Sequence, residues 1–297
     1  MKIHHKFISP IIFLNKEPEA KMSGTLFVVA TPIGNLEDLT PRARQTLAEV
    51  SLIAAEDTRH TGRLLMHIGC KTRLMALHDH NEEKVVHSLI ETLQGGDNVA
   101  LVSDAGTPLV SDPGFKLVRA AHEHGICVSP IPGASAVTAA LSAAGIPTDR
   151  FCFEGFAPAK HAARVDWLEN LSIERRTLII YESVHRIGDC LADMVAVFGP
   201  ERRGFIGREL TKMHQQCVQA SLEELCRQVD DKTIVGKGEF VIVIAGSSAE
   251  HESPLEIDRL LKALSTHLSA KDAAKVAAQA TGLKRNSLYD RLIKLKD

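Results

Sequence analysis

The sequence predicts an α/β protein: two consecutive α/β domains followed by a small helical domain. Three observations carry that expectation. Short apolar runs alternate with helical patterns from Thr25 onward, a Gly-Ile-Pro turn interrupts the alternation at residues 145–150, and residues 255–297 show helical patterning without a strand. A chain of 297 residues is long enough for about two domains. Its 44% hydrophobic and 24% charged residues suit a folded globular chain and exclude a disordered or fibrous one.

In the first domain, residues 24–145, the strands are "TLFVVA", "SLIAA", "RLMAL", "VALV" and "ICVSPI". A helical pattern follows each, which implies a largely parallel sheet with right-handed crossovers. The run 99–102 is apolar throughout, as expected of a strand buried on both faces. In the second domain, residues 150–246, "RFCFEGF", "RTLIIYES", "RGFIGREL" and "EFVIVIAG" are the strands, with helices over 184–198 and 221–229. "SSAEHESP" has linker composition. In the tail, a helix of small residues, a turn at Gly282 and a second helix from Asn286 match a helix-turn-helix, with a small helical bundle as the alternative. Residues 1–21 are expected to be a disordered extension, with Met22 an alternative start.

The six cysteines form no C-x-x-C pair, so reduced thiols and a cytoplasmic location are expected rather than a disulfide framework or a zinc knuckle. No apolar run approaches the roughly 18–20 residues of a membrane span. The first loop, "TPIGNLEDLTP", holds Gly34 as its one glycine, so the dinucleotide-binding fingerprint is absent.

Chemistry concentrates where the strands of the first sheet end. After Val102 comes "SDAGTPLVSDPG", two turns where a strand-to-helix connection usually needs about 2–6 residues. The surplus backbone is expected to cradle a ligand at the carboxyl edge of the sheet, while Asp112 and Pro113 are read as the cap of a helix over 115–124. After strand two, "EDTRHT" puts Thr58 in a helix-capping position and turns Asp57, Arg59 and His60 toward a polar substrate. "LHDHNEE" gathers His78, Asp79, His80, Glu82 and Glu83. Substrate contact, or a cap for a helix starting near Asn81, is preferred there to a metal, because no second His or Cys cluster completes a ligand set.

The stretches "VVATPIGNLEDLTPRA", "AAEDTRHTGRLL", "LVSDAGTPLVSDPGFKLV", "PIPGASAVTAALSAAGIPTDRFCFEGF", "IIYESVHR" and "GRELTKMHQ" resemble the ribosomal RNA small-subunit methyltransferase I family of the tetrapyrrole-methylase superfamily. The resemblance runs from about Gly24 to the C-terminus. It implies two α/β domains of tetrapyrrole-methylase type with the donor folded in the cleft between them. It also implies S-adenosyl-L-methionine as methyl donor, the ribose 2′-oxygen of a decoding-centre cytidine in 16S rRNA as acceptor, and a homodimer. By that resemblance Ser103, Asp104, Ala105, Gly106, Pro108 and Leu109 wrap the donor with Pro32, Ser135 and Ala136, and Tyr181, Glu182, Leu210 and Gly238 border its adenosine. Asp57, Asp104 and Glu209 are the candidate proton acceptors, with Arg208–Glu209 as an alternative ion pair. Arg59, His60, Arg63, His78, His80, Arg208 and Lys212 are the candidate RNA contacts.

The net charge of −2 does not announce a nucleic-acid binder. Residues 271–297, however, hold seven basic residues against three acidic ones, a net of +4, and are expected to contact phosphate. A small-molecule tetrapyrrole methylase and a helix-turn-helix DNA-binding regulator are the competing readings. The first leaves "EDTRHT" and the basic tail without a purpose, and the second leaves both α/β domains unexplained.

Overall fold

The computed structural model describes residues 23–247 except Asp79, and residues 254–295 except Gly282 and Lys284. The expected N-terminal extension and most of the expected linker lie outside the described residues. The chain divides into two compact units between Ser135 and Ala136.

The first unit alternates β1 (Thr25–Val29), α1 (Pro41–Glu49), β2 (Leu52–Ala55), α2 (Thr58–His67), β3 (Leu74–Ala76), α3 (Glu82–Gln94), β4 (Val99–Val102), α4 (Phe115–Glu123) and β5 (Cys127–Ile131). All five strands are parallel, in the order β3-β2-β4-β1-β5. Every residue of β2 and β4 is buried, as their unbroken apolar runs require. Side chains of successive strand residues point to opposite faces, so Leu52, Ala54 and Leu101 join Leu89, Leu93 and Leu117 on one face. Ile53, Ala100 and Val102 join Leu47, Leu64 and Leu65 on the other. At the outer strand β5, Pro130 lacks an N–H, and its carbonyl accepts a hydrogen bond from Arg42 Nη2 on α1 at 2.7 Å.

The second unit begins with α5 (Ala136–Ala144), ahead of the 145–150 hinge expected from the sequence. The physical reason is the buried stripe Val137, Ala140, Leu141 and Ala144, on a helix that packs against the strands of the second sheet. There follow β6 (Phe151–Phe156), α6 (His161–Leu171), β7 (Thr177–Ser183), α7 (Ile187–Phe198), β8 (Arg203–Arg208), β9 (Gln216–Ser221), α8 (Leu222–Asp230) and β10 (Glu239–Ile244). The sheet is mixed, in the order β6-β7-β10-β8-β9, with only β6 and β7 parallel. Leu178, Ile180, Ile206, Ile242 and Ile244 pack with Leu191, Met194, Leu222 and Leu225 into its core. Strand β9 is absent from the sequence expectation: it lies at the sheet edge, none of its residues is fully buried, and its polar and small residues give no apolar run.

Three helices close the chain: α9 (Pro254–Ser265), α10 (Ala270–Thr281) and α11 (Arg285–Lys294). The small residues of α10, Ala273, Ala274 and Ala277, are fully buried against Leu261, Leu288 and Leu292, letting the helices approach closely. Arg291 Nε on α11 donates to Asp258 Oδ1 on α9 at 2.6 Å, so this member of the basic tail already has a carboxylate partner. No described helix is long and apolar enough to cross a membrane.

Candidate functional site

From β2 the chain moves outward to β3, and from β4 it moves the opposite way to β5, so the crevice between the ends of β2 and β4 is a topological switch point, the place where open α/β sheets bind ligands. The residues leaving these strands tie the two ends together. Asp57 N donates to Asp104 Oδ1 at 3.0 Å, and Asp104 N donates to Glu56 Oε2 at 3.3 Å. Asp57 is also the N-cap of α2, its Oδ1 accepting from Arg59 N at 2.8 Å. The cap is therefore not Thr58, which is the first residue of the helix. The Arg59 guanidinium clasps the same carboxylate, with Nη2 at 2.6 Å from Oδ2, and that hydrogen bonding holds the Asp57 carboxyl far below the usual carboxylate range. A carboxylate so stabilised is a poor proton acceptor, so Asp57 does not fit the basic role expected of it.

The loop after β4 is locked from two sides. Thr31, at the end of β1, forms a two-bond bridge with Gly106, with N···O distances of 2.8 and 3.1 Å, and its hydroxyl donates to the Ser103 carbonyl at 3.3 Å. Thr107 Oγ1 donates to the Ala134 carbonyl at 3.1 Å. Gly106, Leu109 and Ser111 have φ of +83°, +73° and +70°, and left-handed backbone at two non-glycine residues is strain of the kind found at ligand sites. Ser103 and Pro108 are buried and Ala105 is exposed. Thr31, Pro32, Leu36, His60, Ser103 and Asp104 line a cavity of about 180 Å³. Arg63, further along α2, is exposed.

Asp112 does not cap α4. The cap residue is Gly114, at φ +120°, where a Cβ would stand 2.7 Å from Leu101 Cδ2. The first-turn amide of Lys116 donates instead to Glu82 Oε1 at 2.9 Å, so the buried Glu82 of "HDHNEE" supplies the cap from α3. Asp112 turns to Ser103. Burial raises its carboxyl to about 6; the Ser103 hydrogen bond opposes the rise and the nearby charges of Glu56 and Asp104 add to it. Asn81 opens α3 and its side chain accepts from His78 N at 2.9 Å. The rings of the half-buried His78 and exposed His80 meet edge-on at 6.0 Å. Asp79 lies outside the described residues. Among the described residues, no group of three His, Cys, Asp or Glu side chains is placed to hold a metal ion.

In the second unit, Tyr181 stands edge-on to Phe153 and Phe156, with centroid distances of 4.8 and 5.5 Å. Glu182 points the other way, because adjacent strand residues alternate faces. Its side chain is wholly buried, bound to Arg186 Nη2 and Ser183 N at 2.7 Å each, so its carboxylate cannot border a nucleoside as expected. Arg208 is buried as well: Nε donates to the Lys237 carbonyl at 2.5 Å and Nη1 to the His214 carbonyl at 2.8 Å. It is thus a structural strut rather than an RNA contact, and it makes no ion pair with Glu209. At Glu209 the chain turns left-handed, with φ +49°, and Oε1 accepts from Lys212 Nζ at 2.7 Å and from Glu239 N at 3.0 Å. Burial pushes the Glu209 carboxyl up, but those hydrogen bonds outweigh it and leave the group below its ordinary value. Lys212 also reaches Glu239 Oε2 at 2.9 Å, which commits it internally and leaves it unsuited to the RNA contact expected of it. Leu210 is buried against Gly207. Gly238 has φ +93°. Ser135 ends the first unit and Ala136 opens α5.

Sequence reasoning missed Thr31, Leu36 and Asp112. Asp112 carried a signal, since "SDAG" and "SDPG" place two acids on one loop, but the helix-start pattern masked it.

The family described as Tetrapyrrole (Corrin/Porphyrin) Methylases matches residues 25–226, and that described as RsmI C-terminal HTH domain matches residues 251–296. A protein of Xylella fastidiosa (strain Temecula1) named ribosomal RNA small subunit methyltransferase I is 51% identical over 267 residues, 90% of this chain and 98% of that one. One of the same name from Escherichia coli O157:H7 is 51% identical, over 90% of this chain and 93% of that one. Among solved structures, the methyltransferase CobJ superposes with a TM-score of 0.57 at 21% identity, covering 78% of this chain and 98% of that one. A uroporphyrin-III C-methyl transferase from Thermus thermophilus complexed with S-adenyl homocysteine superposes with a TM-score of 0.51 at 18% identity, covering 75% and 97%. At that identity the two structures speak for the fold.

Proposed function

The chain belongs to the ribosomal RNA small subunit methyltransferase I family, and from that premise we propose that it transfers the methyl group of S-adenosyl-L-methionine to the ribose 2′-oxygen of a decoding-centre cytidine in 16S rRNA. The observation that carries the reading is the crevice at the switch point. Among the described residues, no Lys, Arg or His lies within ion-pair distance of Asp104 or Asp112 there. Carboxylates that no cationic side chain neutralises, beside a strained loop, suit a ligand bearing ammonium and sulfonium charges.

When bound, the donor supplies a methyl carbon already activated by its sulfonium. The chain must then hold the acceptor oxygen in line with that carbon and take up the proton released as the C–O bond forms and the C–S bond breaks. The backbone of residues 103–109, with Pro32, Ser135 and Ala136, holds the methionine portion, and Tyr181, Leu210 and Gly238 serve the adenosine. Of the three candidate proton acceptors, Asp104 is the one without a cationic side chain attached, since Arg59 occupies Asp57 and Lys212 occupies Glu209. The exposed side chains of His60 and Arg63, with Lys271, Lys275, Arg285 and Lys294, meet the RNA. The protein works as a homodimer in the cytoplasm.

The test is mass mapping of 16S rRNA from cells lacking this protein, complemented with the wild type or with Asp104→Ala. One cytidine should lose its 2′-O-methyl group and regain it only with the wild type. An unchanged methylation map refutes the reading.

A further inference from the structure

Resting on the rRNA reading above, we propose that Phe156, with Tyr181 and Phe153 beside it, is a platform on which an unpaired base of the RNA substrate stacks. One extra residue builds it. Phe153 lies opposite Ile179 and Phe156 opposite Tyr181, so three steps along β6 match two along β7, and Gly155 absorbs the irregularity at φ +67°. In an unbroken strand, alternation would turn residue 156 to the side of Cys152, which packs into the helix-covered core. The bulge instead sets the Phe156 ring 5.5 Å from Tyr181, next to the Phe153–Tyr181 pair at 4.8 Å.

The platform is held in place by the chain that follows it. The carbonyl of Ala157 accepts from Arg186 Nη1 at 3.2 Å, and Arg186 is bound in turn by the wholly buried Glu182 carboxylate at 2.7 Å. From α6, Arg164 Nη1 reaches the carbonyls of Pro158 and Ala159 at 3.5 Å each, while its Nε is fixed to Asp193 Oδ2 at 2.7 Å. Two arginines, each anchored on a buried carboxylate, therefore fix the backbone beside Phe156, and a ring so placed loses little freedom when a partner arrives.

Size and charge choose the occupant. Phe156 is 55% exposed and meets Tyr181 at an interplanar angle of 65°, so whichever ring offers its edge, one face of Phe156 stays clear of Tyr181. Half of an aromatic side chain is about 100 Å², the scale of one base and far below the roughly 800 Å² per partner of a stable protein interface. A base offers a flat π-face and needs no particular hydrogen-bonding pattern to stack on such a ring. Lys160, four residues further on, is exposed and has no ion-pair partner among the described residues, which suits it to the phosphate beside that base.

The experiment is filter binding of the full-length protein to small ribosomal subunits, with S-adenosylmethionine affinity followed by calorimetry. Phe156→Ala should weaken subunit binding by roughly five- to 150-fold, the usual worth of one stacked base. Phe156→Leu, apolar but not flat, should lose most of the same factor, whereas Phe156→Trp should stay within about threefold of wild type. The slope of log affinity against log salt should not change in any of them, because stacking neutralises no phosphate. Donor affinity and oligomeric mass should be those of the wild type. Wild-type binding by Phe156→Leu overturns the proposal. So does a loss of donor affinity, which would give the ring to the donor's adenine, or a change of oligomeric mass, which would make it a contact between copies. If the wild type methylates the subunit and Phe156→Ala binds equally well, the platform alone falls; if the wild type neither binds nor methylates it, the rRNA reading falls too.

Discussion

A Cβ added to Gly238 would lie 2.4 Å from Glu209 Oε1, so the Glu209 carboxylate occupies the space that any side chain at position 238 would need. The same carboxylate gathers the Glu239 amide and the Lys212 ammonium, and one missing methyl group thereby lets the segment leaving β8 lie close against the segment entering β10. At φ +93° the position also disfavours every residue with a Cβ.

Gly238→Ala should therefore destabilise the protein by about 1–3 kcal/mol, combining backbone strain with displacement of the partly buried Glu209 carboxylate. Urea unfolding measures this, and a variant as stable as the wild type would mean that Glu209 can swing away at no cost.

Asp57→Asn should leave methyl transfer to small subunits within about tenfold of wild type, because asparagine still caps α2 and the Arg59-bound carboxylate was never a useful base. Neither protein should show an inflection from this group in its pH–rate profile between pH 5 and 9. A loss of a thousandfold would restore Asp57 to the chemistry.

For Asp112 the linkage has a definite sign. The folded state raises this carboxyl from its ordinary value to about 6, so its protonated form is the favoured one in the fold, and the stability this confers is present below about pH 4 and lost as the pH rises through 6. Asp112→Asn should match the wild type near pH 4 and exceed it by about 1 kcal/mol at pH 7.5, a fraction of the full shift because the group is only half-buried. Thermal unfolding at the two pH values decides it, and an Asn variant less stable than wild type at pH 7.5 would contradict the assignment.

The exposed cations of the last helices make a separable prediction. Lys271→Glu, Lys275→Glu and Arg285→Glu together should leave donor affinity unchanged and weaken association with small ribosomal subunits. The slope of log affinity against log salt should fall by about two, as fewer phosphate charges are neutralised. Filter binding at several salt concentrations reads both quantities, and an unaltered slope would move RNA contact to His60 and Arg63 on α2.

The first sheet was legible because parallel strands covered on both faces must be apolar at every position, which Leu52–Ala55 and Val99–Val102 are. β9 was not, because an edge strand with little buried surface leaves no comparable pattern. Asp112 was misread for a reason no local pattern contains: Leu101, on the preceding strand, fills the space beside residue 114 and imposes glycine as the cap. The neighbours Arg208 and Glu209 look like a pair in sequence, yet the first ends a strand with its side chain buried and the second begins a left-handed turn. Glu182 is the opposite case. The period of two along β7 already separates it from Tyr181, so the alternation alone says that the two side chains do not share a face.

An outermost strand with unpaired backbone groups is a template on which a second chain can add, and repeated addition leads to fibrils. On β5 the proline at 130 offers no amide to such an intruder, and its carbonyl is already engaged by Arg42. The sheet therefore presents a broken row of hydrogen-bonding groups at this border, and a stray extended segment from another molecule finds no continuous register to lengthen. Pro130, by lacking a donor, and Arg42, by occupying an acceptor, thus both work against chain addition at this border.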